Sequence, residues 1–561
     1  MKQDRYEQTV LEQAGKVEAS SGLPLTLSRY VLESLYAWGV RRIYGVIGDA
    51  NLVFLSELAA FKKIRYIACR QENAAALMAS AEAKLTGRIG VVLATSGPGA
   101  ASLLNRLGDA AMDQVGVLAI TGQVERAKLG TGSKQDLDQQ KLMLGMTNAS
   151  YLISDEKALP ALLRQCLLAS VLHGQVTHLA IPKDLFHDEI DAPLVAPGPY
   201  LQQPMLCPEG EIAEFAAHIS QSRQPMILVG KGAGRATQEL QTFAETIGAP
   251  VMVTMPARAY FPNAHPLFLG GLGQAGSEAS SLLLGESDLI LIIGATWWPE
   301  EYVPAGAKVI QIDRRKDHLG KHVHIAKGLA GDVKQIVPVL IGMCHGQGKG
   351  REDWLKRVQV EKGKWERRVA AELRERANSL MRPQQAVAAL AEHMPEKAII
   401  TLDTGDHTLW FHRSFVCKPD QEVLLSGRHR TLGFGLPAAI AAKLVYPERQ
   451  VLAITGDGGV VQTFMEWMTA VAHKLPILLA VFRNGSYAME KNRMDVHGLD
   501  TLGSSILNPD FAAMAEAGGA TGWQIKTVED LHHRMQMALR ARKPVLLDIW
   551  ISDEQVPHTK M

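Results

Sequence analysis

Cysteine is scarce in this sequence, with five residues among 561, and no two of them form a CxxC pair. Such scattered cysteines argue against a disulfide framework or a zinc site and fit a reducing compartment. A charge excess of one sign is also missing, because 59 Lys and Arg residues balance 58 Asp and Glu residues. The resulting net charge of +1 gives no global field that would hold nucleic acid or anionic lipid. We therefore expect neither nucleic acid nor a membrane surface as a partner.

Long apolar runs are absent as well, since none approaches the roughly 18–20 residues of a membrane span. The polar stretch at residues 1–22 lacks the apolar core of a signal peptide, which predicts a cytoplasmic location. The chain is 47% hydrophobic and 21% charged, a balance that rules out disorder over most of its length.

Short apolar runs alternate with longer amphipathic stretches from residue 23 onward, for example IYGVIG at 43–48 and VLAIT at 451–455. This alternation predicts parallel sheets covered by helices on both faces. The runs fall into three successive α/β units. The predicted divisions are an N-terminal extension at 1–22, a first domain at 23–190, a Pro-rich linker at 191–204, a central domain at 205–345, a linker with a helix at 346–382, a third domain at 383–555 and a tail at 556–561.

The segment GDGG, residues Gly456 to Gly459, follows the apolar run at 451–455 and precedes a predicted helix over 460–474. Asp457 would then lie at the carboxyl end of a strand, where open α/β sheets place their ligands. Asn484 ends the next predicted strand, so both side chains would meet at the surface edge of the sheet. A carboxylate and an amide oxygen suit Mg²⁺, although a helix cap and a turn asparagine would show the same residues.

Glu72 stands at the start of a predicted helix, after the apolar run RYIAC. An acidic residue there is either a partner of the helix dipole or a carboxylate that points into an apolar interface. Two glycine-rich turns, at 96–102 and 230–236, could hold an anion at a helix N-terminus or be plain tight turns.

These segments together resemble the thiamine-diphosphate-dependent enzymes of the pyruvate oxidase and acetolactate synthase type, over residues 23–555. The motifs are RQENAAALMA, TSGPGAASLLNRLGDA, GFGLPAAIAAKLVYPERQV and GDGG followed by FRNGSYAM. The resemblance is strongest to pyruvate oxidase. It implies three successive doubly wound parallel-sheet domains. These are a pyrimidine-binding domain, a central domain and a diphosphate-binding domain. It also implies a homodimer at minimum, with a homotetramer expected.

Site residues follow from the resemblance. Glu72 matches the glutamate that bonds the pyrimidine ring, and Asp457 and Asn484 match the Mg²⁺ ligands, together with the main-chain carbonyl of Ser486. Leu432 matches the bulky residue that bends the cofactor. The other positions implied are Gln135 as a catalytic residue and Gly405, Asp406, Gly456, Gly458, Gly459 and Tyr487 as cofactor-binding residues.

The central domain leaves one cofactor open. Gly230, Gly232, Arg235 and Asp313 lie where flavin-dependent members bind FAD, but the family keeps this domain in members without a flavin. The resemblance therefore implies thiamine diphosphate and Mg²⁺, while FAD stays undecided.

Departures from the family pattern concern the substrate. The family's Phe-Gln-Glu is Lys134-Gln135-Asp136 here, and Glu490 and Arg493 follow the metal loop. Lys134 and Arg493 favour a 2-keto acid with a second anionic group, unless Lys134 points to solvent and Glu490 neutralises Arg493. The resulting hypothesis is a pyruvate oxidase-like enzyme that decarboxylates a 2-keto acid. An acetolactate synthase-like carboligase or a simple decarboxylase is the alternative, the latter because VIGDANLVFL resembles a decarboxylase segment.

Overall fold

The computed structural model describes residues 24–198, 201, 207–234, 236–273, 276–296, 306–375 and 380–556. The predicted extension at 1–22 lies outside this range, as do residues 199, 200 and 202–204 of the predicted linker and residues 557–561 of the tail. Three six-stranded parallel sheets account for the core of the described chain.

The first unit has the strand order β3-β2-β4-β5-β7-β6, and a short antiparallel pair, β1 and β8, frames it. Its strands are β1 Leu25–Thr26, β2 Arg42–Gly45, β3 Arg65–Ala68, β4 Gly90–Ala94, β5 Val117–Gln123, β6 Ala149–Leu152, β7 Val176–Pro182 and β8 Glu189–Ile190. Its helices are α1 Leu27–Ala37, α2 Leu52–Phe61, α3 Glu72–Thr86, α4 Pro98–Met112, α5 Gln139–Met143 and α6 Leu159–His173.

The central unit has the order β11-β10-β9-β12-β13-β14. Its strands are β9 Pro225–Val229, β10 Val251–Val253, β11 Phe268–Gly271, β12 Leu289–Ile293, β13 Lys308–Asp313 and β14 Lys327–Ala330. Its helices are α7 Glu209–Gln221, α8 Thr237–Ile247, α9 Glu278–Glu286 and α10 Val333–Met343, and the long charged helix α11 Glu352–Arg374 follows.

The third unit has the order β16-β15-β17-β18-β20-β19. Its strands are β15 Ile399–Leu402, β16 Glu422–Leu425, β17 Val451–Gly456, β18 Leu478–Arg483, β19 Thr521–Ile525 and β20 Val545–Trp550. Its helices are α12 Pro383–His393, α13 Asp406–Ser414, α14 Gly435–Val445, α15 Asp457–Val460, α16 Trp467–Ala472, α17 Ala488–Val496, α18 Phe511–Ala517 and α19 Val528–Ala538.

Each sheet is doubly wound, because its chain starts in the middle and adds strands to both sides. The predicted fold class is therefore confirmed. The reversal of strand order in the third sheet lies between β15 and β17, so the turns after these two strands face a common crevice. That crevice receives the segments that begin at Asp403 and Asp457.

The first and third units share one hydrophobic core. Helices α3 and α14 pack against each other with alanine-rich faces, which lets their backbones approach closely. This packing fixes the start of α3, and hence Glu72, relative to the third sheet.

One detail differs from the sequence expectations. The helix predicted over 460–474 is broken, because the chain turns at 461–463 and becomes helical again only in a short 3₁₀ turn at 464–466 and in α16. The break brings Glu466 toward the first unit. In addition, no helix among the described residues is long and apolar enough to cross a membrane.

Candidate active site

Asp457 is the first residue of α15, directly after β17, and its side chain is buried, with 1% of its surface exposed. Its Oδ2 accepts hydrogen bonds from the backbone N–H groups of Asn484 (3.2 Å) and Gly485 (2.8 Å) and from Nδ2 of Asn508 (2.7 Å). Oδ1 accepts from the N–H of Gly458 at 2.9 Å. The sequence expectation of a surface-edge ligand is therefore wrong, since these donors hold the carboxylate inside the crevice.

Burial raises the pKa of Asp457, while the four hydrogen bonds act in the opposite direction. The close approach of the neighbouring loop explains one of the glycines in this turn. A Cβ at Gly458 would lie 2.5 Å from a ring carbon of Tyr487 and 2.8 Å from a methyl carbon of Ile506. Any side chain at 458 would push this loop away from Asp457.

Asn484 follows β18 and begins the loop opposite Asp457. Its Oδ1 accepts a hydrogen bond from the N–H of Ser486 at 3.1 Å. The loop is held by a second segment, because the N–H of Tyr487 donates to the carbonyl of Ser504 at 2.8 Å. The predicted pair of Asp457 and Asn484 thus meets at one sheet edge, with Ser486 in the same turn.

The donor set in this crevice suits a hard cation. Oγ of Ser486 and Oδ1 of Asn508 are buried and have no hydrogen-bond partner among the described residues. Together with the Asp457 carboxylate and the Asn484 amide oxygen, they form an oxygen-rich cluster of the type that Mg²⁺ prefers. The described residues contain no group of three or more His, Cys, Asp or Glu side chains that could hold a metal.

Leu432 lies in the loop before α14, and two units of the chain position it. Its carbonyl accepts a hydrogen bond from the guanidinium of Arg106 on α4. Oδ1 of the buried Asp403 accepts from the N–H groups of Gly433 (2.8 Å) and Phe434 (3.3 Å). The backbone at Leu432 is therefore fixed from both sides.

Gly405 ends the turn after β15 and Asp406 begins α13, and both Gly405 and Gly456 face the ring of His407, which a Cβ would approach to 2.7 Å and 3.1 Å. The Asp406 carboxylate accepts a hydrogen bond from Nε1 of Trp410 at 2.6 Å. Burial raises the pKa of Asp406 to about 7, the Trp410 bond lowers it, and the charge of Asp553 raises it further. The turn thus contains a carboxyl group whose pKa lies near neutral pH.

Glu72 begins α3 and is half-buried, and no hydrogen bond to its carboxylate is found among the described residues. It lies against the start of α4, where a Cβ at Gly99 would be 3.2 Å from Oε1 of Glu72 and 2.8 Å from Thr95. A glycine at 99 therefore leaves room beside the carboxylate. The turn at 96–102 helps to form the wall of this site.

Gln135 joins the same wall. Its Oε1 accepts a hydrogen bond from Oγ of Ser96 at 3.1 Å. Its backbone has φ of +65°, a left-handed conformation that costs a non-glycine residue about 1–3 kcal/mol. The loop therefore holds Gln135 in a specific position opposite Gly97. Lys134, by contrast, is exposed.

Glu466 connects the third unit to the start of α3. Its buried Oε1 accepts hydrogen bonds from the backbone N–H groups of Arg70 (2.8 Å) and Gln71 (3.0 Å), and its Oε2 accepts from Thr469 (2.7 Å). Burial raises the pKa of Glu466. This carboxylate fixes the two residues that precede Glu72.

The positive side chains that the sequence analysis proposed for binding an anionic substrate are partly neutralised. Nη1 of Arg493 lies 3.1 Å from both carboxylate oxygens of Glu490, and the side chains are 55% and 62% exposed. Arg430, in the loop before Leu432, adds a cation that the sequence analysis did not consider. Burial lowers its pKa, and so does the charge of Arg493.

In the central unit, the residues assigned to FAD end neighbouring strands. Gly230 follows β9 and Asp313 ends β13, with β12 between them, while Arg235 lies outside the described residues. The N–H groups of Gly230 and Gly232 donate to the carbonyls of Ile293 (2.8 Å) and Gly294 (2.7 Å). Neither N–H is therefore free to hold a phosphate.

The acidic residue of that group, Asp313, also has hydrogen-bond partners. Oδ1 of Asp313 accepts from the N–H of Arg315 at 2.9 Å and lies 3.2 Å from Nδ1 of His318. Burial raises the pKa of Asp313 and lowers that of His318. FAD stays a prediction that none of these contacts favours.

The predicted residues form two groups in the single chain. Asp457, Asn484 and Ser486 lie at the third sheet, and Glu72 and Gln135 lie at the first. No hydrogen bond or ion pair within the described residues joins Glu72 to the first of these groups or to Leu432. Sequence reasoning missed several positioning residues, because their partners are remote in sequence: Arg106, Asp403, Arg430, Glu466 and Asn508.

Comparisons with known protein families match each of the three units to a domain of one enzyme family. Residues 25–142 match the thiamine pyrophosphate enzyme N-terminal TPP binding domain, residues 212–340 the central domain, and residues 403–549 the C-terminal TPP binding domain.

Curated relatives cover nearly the whole chain. The "Putative thiamine pyrophosphate-containing protein YdaP" of Bacillus subtilis is 34% identical over 531 residues, which cover 94% of this chain and 92% of that protein. The acetolactate synthase of Mycobacterium leprae is 31% identical over 574 residues, covering 96% and 89%. The pyruvate oxidase of Lactiplantibacillus plantarum is 28% identical over 544 residues, covering 95% and 89%.

The three matched domains follow one another in the order of the three sheets, and the relatives extend across all of them. The chain therefore belongs to the thiamine pyrophosphate enzyme family, in the group that contains acetolactate synthase and pyruvate oxidase.

Proposed function

We propose that this protein is a thiamine-diphosphate- and Mg²⁺-dependent enzyme that decarboxylates a 2-keto acid in the manner of pyruvate oxidase. The observation that carries the proposal is the oxygen cluster around Asp457, with the unpartnered oxygens of Ser486 and Asn508. Family membership supports the cofactor, and the cluster supports a divalent cation beside its diphosphate.

The position of each residue in the candidate site indicates its proposed role. Asp457, Asn484 and Ser486 would hold Mg²⁺, and the turns at Gly405–Asp406 and Gly456–Gly459, together with Tyr487, would surround the diphosphate. Leu432, fixed by Arg106 and Asp403, would support the cofactor from the side. Asn508 orients Asp457 through the hydrogen bond from its Nδ2.

Glu72 is proposed as the acid–base residue. Its carboxylate has no hydrogen-bond partner among the described residues, so it can share a proton with the ring nitrogen of a bound pyrimidine. Glu466 holds the chain just before it, and Gly99 keeps the space beside it open. Gln135 lies in the same wall and would contact the substrate.

Bound thiamine diphosphate would supply the electron sink that a 2-keto acid needs in order to lose CO₂. The chain's contribution is to bind, orient and desolvate the reactants. Asp457, Asp403 and Glu466 are buried, and burial strengthens the hydrogen bonds that they accept.

Acetolactate synthase-like carboligation is the second candidate, because several relatives with at least 30% identity carry that name. The two reactions share decarboxylation and differ in what accepts the product. Arg430, in the loop before Leu432, adds positive charge near the site, which favours a substrate or acceptor with a second anionic group, whereas Lys134 is exposed and contributes less to this preference. The Arg493–Glu490 pair contributes little to that preference because it is self-neutralised.

Products would decide between these candidates. The purified protein with thiamine diphosphate and Mg²⁺ would be given pyruvate, longer aliphatic keto acids and keto acids with a distal carboxylate or sulfonate. We expect CO₂ release from at least one of them. Reduction of an artificial electron acceptor supports the oxidase, and a carbon–carbon condensation product supports the carboligase. No CO₂ release from any keto acid would contradict both.

The cofactor assignment has its own test. Asp457→Asn keeps the size of the side chain but removes its charge, so Mg²⁺-dependent binding of thiamine diphosphate, measured by calorimetry, should be lost. The matched control is Asp510→Asn, which changes an exposed helix cap on α18. Unchanged affinity in Asp457→Asn would remove the metal assignment.

A further inference from the structure

A cavity of about 230 Å³ lies away from the sheet edges that form the candidate active site. It is bounded by β11 of the central unit, by α11 and by the last turn of α13. Its lining includes Arg258, Phe268, Ser277, Trp365, His412 and Arg413. Charged and polar side chains therefore meet at a junction of the central and third units.

Arg258 carries a charge that no carboxylate among the described residues balances, although its guanidinium lies 5.2 Å from the centre of the Phe268 ring. Its side chain is buried, with 5% of the residue exposed, and Nε and Nη2 donate only to the carbonyl of Phe415, at 3.3 and 3.1 Å. Nη1 has no hydrogen-bond partner, and no carboxylate within the described residues forms an ion pair with this guanidinium. A buried charge without a counter-charge is strongly unfavourable.

The acidic side chains near the cavity already have partners. Glu372 accepts from Nη2 and Nε of Arg413 at 2.7 and 3.3 Å, and Glu366 pairs with Lys362. Nη1 of the buried Arg413 still lacks a partner. One full positive charge, that of Arg258, therefore remains uncompensated in this part of the structure.

Two glycines of β11 in the cavity wall let the side chains of Arg258 and His412 pack close to the backbone of this strand. A Cβ at Gly270, where φ is +94°, would lie 3.4 Å from Nη1 of Arg258. A Cβ at Gly271 would lie 1.7 Å from Nε2 of His412. Nδ1 of His412 is buried without a partner, and burial lowers the pKa of this histidine to about 3, so it stays neutral. A neutral imidazole can donate a hydrogen bond to an anion.

We propose that this cavity binds a small oxyanion, of the phosphate, sulfate or carboxylate class, against Nη1 of Arg258 and Nη1 of Arg413. Such a ligand would supply the missing negative charge and would satisfy both guanidinium donors through charge-assisted hydrogen bonds. The site is separate from the proposed diphosphate site. Arg413 lies seven residues after Asp406 on α13, which is about 10 Å along a helix.

Calorimetric titration of the holoprotein tests the proposal. The protein would be saturated with thiamine diphosphate and Mg²⁺ in a chloride buffer, so that the diphosphate site is occupied. Inorganic phosphate, sulfate and acetate would be added in separate titrations. We expect saturable binding of at least one of them at one site per chain, and the affinity ranking distinguishes tetrahedral oxyanions from carboxylates. No saturable binding of any of the three would overturn the proposal and leave water as the content of the cavity.

Variants locate the site. Arg258→Met should weaken the binding at least tenfold. Arg351→Met is the matched control, because Arg351 is equally buried but donates to the carbonyls of Ile219, Ser222 and Ile247 outside the cavity. Equal affinity in Arg258→Met and the wild type would refute the assignment.

If Arg258→Met does not fold, a second variant tests the location of the proposed anion site. Ala370→Phe fills the cavity from the half-buried face of α11 and leaves all the charges in place. We expect it to lose phosphate binding while it still binds thiamine diphosphate. Retained phosphate binding would contradict the location, and since the cofactor is measured separately, the result is independent of the proposed catalytic function.

Discussion

At the scale of single residues, two carboxylates in the candidate site have opposite surroundings. Asp457 is buried and accepts four hydrogen bonds, which support its ionised form despite burial. Glu72 is half-buried and accepts none from the described residues. The first arrangement suits a fixed negative charge beside a cation, and the second suits a group that exchanges a proton.

The role of Glu72 is tested by Glu72→Gln, which keeps the size of the side chain but cannot exchange a proton. We expect the cofactor to bind, while kcat falls by roughly 10²–10⁴, the usual contribution of positioned acid–base catalysis. Proton exchange at the thiazolium carbon, followed by NMR, should slow in parallel. Glu57→Gln on α2 is the control, since the one ion pair that Glu57 forms within the described residues is with Arg29. Normal exchange in Glu72→Gln would make Glu72 a helix-start residue only.

Asp406 predicts a pH dependence of stability in the cofactor-free protein. Its pKa is about 7 in the folded chain, against 3.8 for the free side chain, so the folded state binds a proton that the unfolded state has lost. The free energy of unfolding should therefore fall as the pH rises from about 4 to 7. The side chain of Asp406→Asn cannot ionise, so the variant avoids this loss of stability. It should be more stable than the wild type at pH 8 by about 1–4 kcal/mol.

Urea unfolding at pH 5 and pH 8 measures the effect. The advantage of Asp406→Asn should be smaller at pH 5, where the wild-type carboxyl group is largely protonated in the folded chain. Asp420→Asn, at an exposed position, is the control. An advantage that is the same at both pH values would show that Asp406 is ionised in the folded protein.

At the scale of elements, strand ends and the loops after them form the site. The crevice between β15 and β17 receives the turns at 403–406 and 456–459, and β18 contributes the loop at 484–487. The start of α3 is held from outside its own unit, because Glu466 accepts from the N–H groups of Arg70 and Gln71. The break in the chain before α16 is what allows Glu466 to reach them.

Glu466 is therefore predicted to act as a positioning residue for Glu72. Glu466→Ala should lower kcat by about 10–100-fold, since small displacements of a catalytic group are costly, with little change in the Kd for thiamine diphosphate. Glu466→Gln keeps an oxygen acceptor and should restore most of the activity. Proton exchange at the thiazolium carbon should follow kcat in both variants. Loss of cofactor binding in step with kcat would instead indicate a general structural defect.

At the scale of the whole molecule, the residues of the candidate site belong to different sheets of one chain. The group around Glu72 and the group around Asp457 have no hydrogen bond or ion pair between them within the described residues. The family resemblance predicts that they meet across a homodimer interface, so that each active site takes one group from each subunit.

Mixed dimers test this arrangement. Chains with Glu72→Gln and chains with Asp457→Asn are each expected to be nearly inactive alone. Random pairing of the two would give one intact site in half of the dimers, or about a quarter of the wild-type activity for two-fold symmetric dimers. Two tags allow the mixed species to be purified and assayed. Activity that stays at the level of the single variants would place both groups in a site within one chain.

The fold class and the meeting of Asp457 and Asn484 at one sheet edge could both be predicted from the sequence. Apolar runs of five or six residues followed by glycine are a local signal, and β17 and β18 lie close to the predicted runs. Asp457 and Asn484 follow these strands directly, so their meeting at one sheet edge needed only the rule that parallel strands end together.

Tertiary structure alone decided the surroundings of these residues. The burial of Asp457 depends on Asn508, which is 51 positions away, and the orientation of Glu72 depends on Glu466, which is 395 positions from Gln71. The uncompensated charge of Arg258 results from packing between β11, α11 and α13. Such long-range contacts leave no periodicity in the sequence, because each depends on which surfaces the folded sheets and helices bring together.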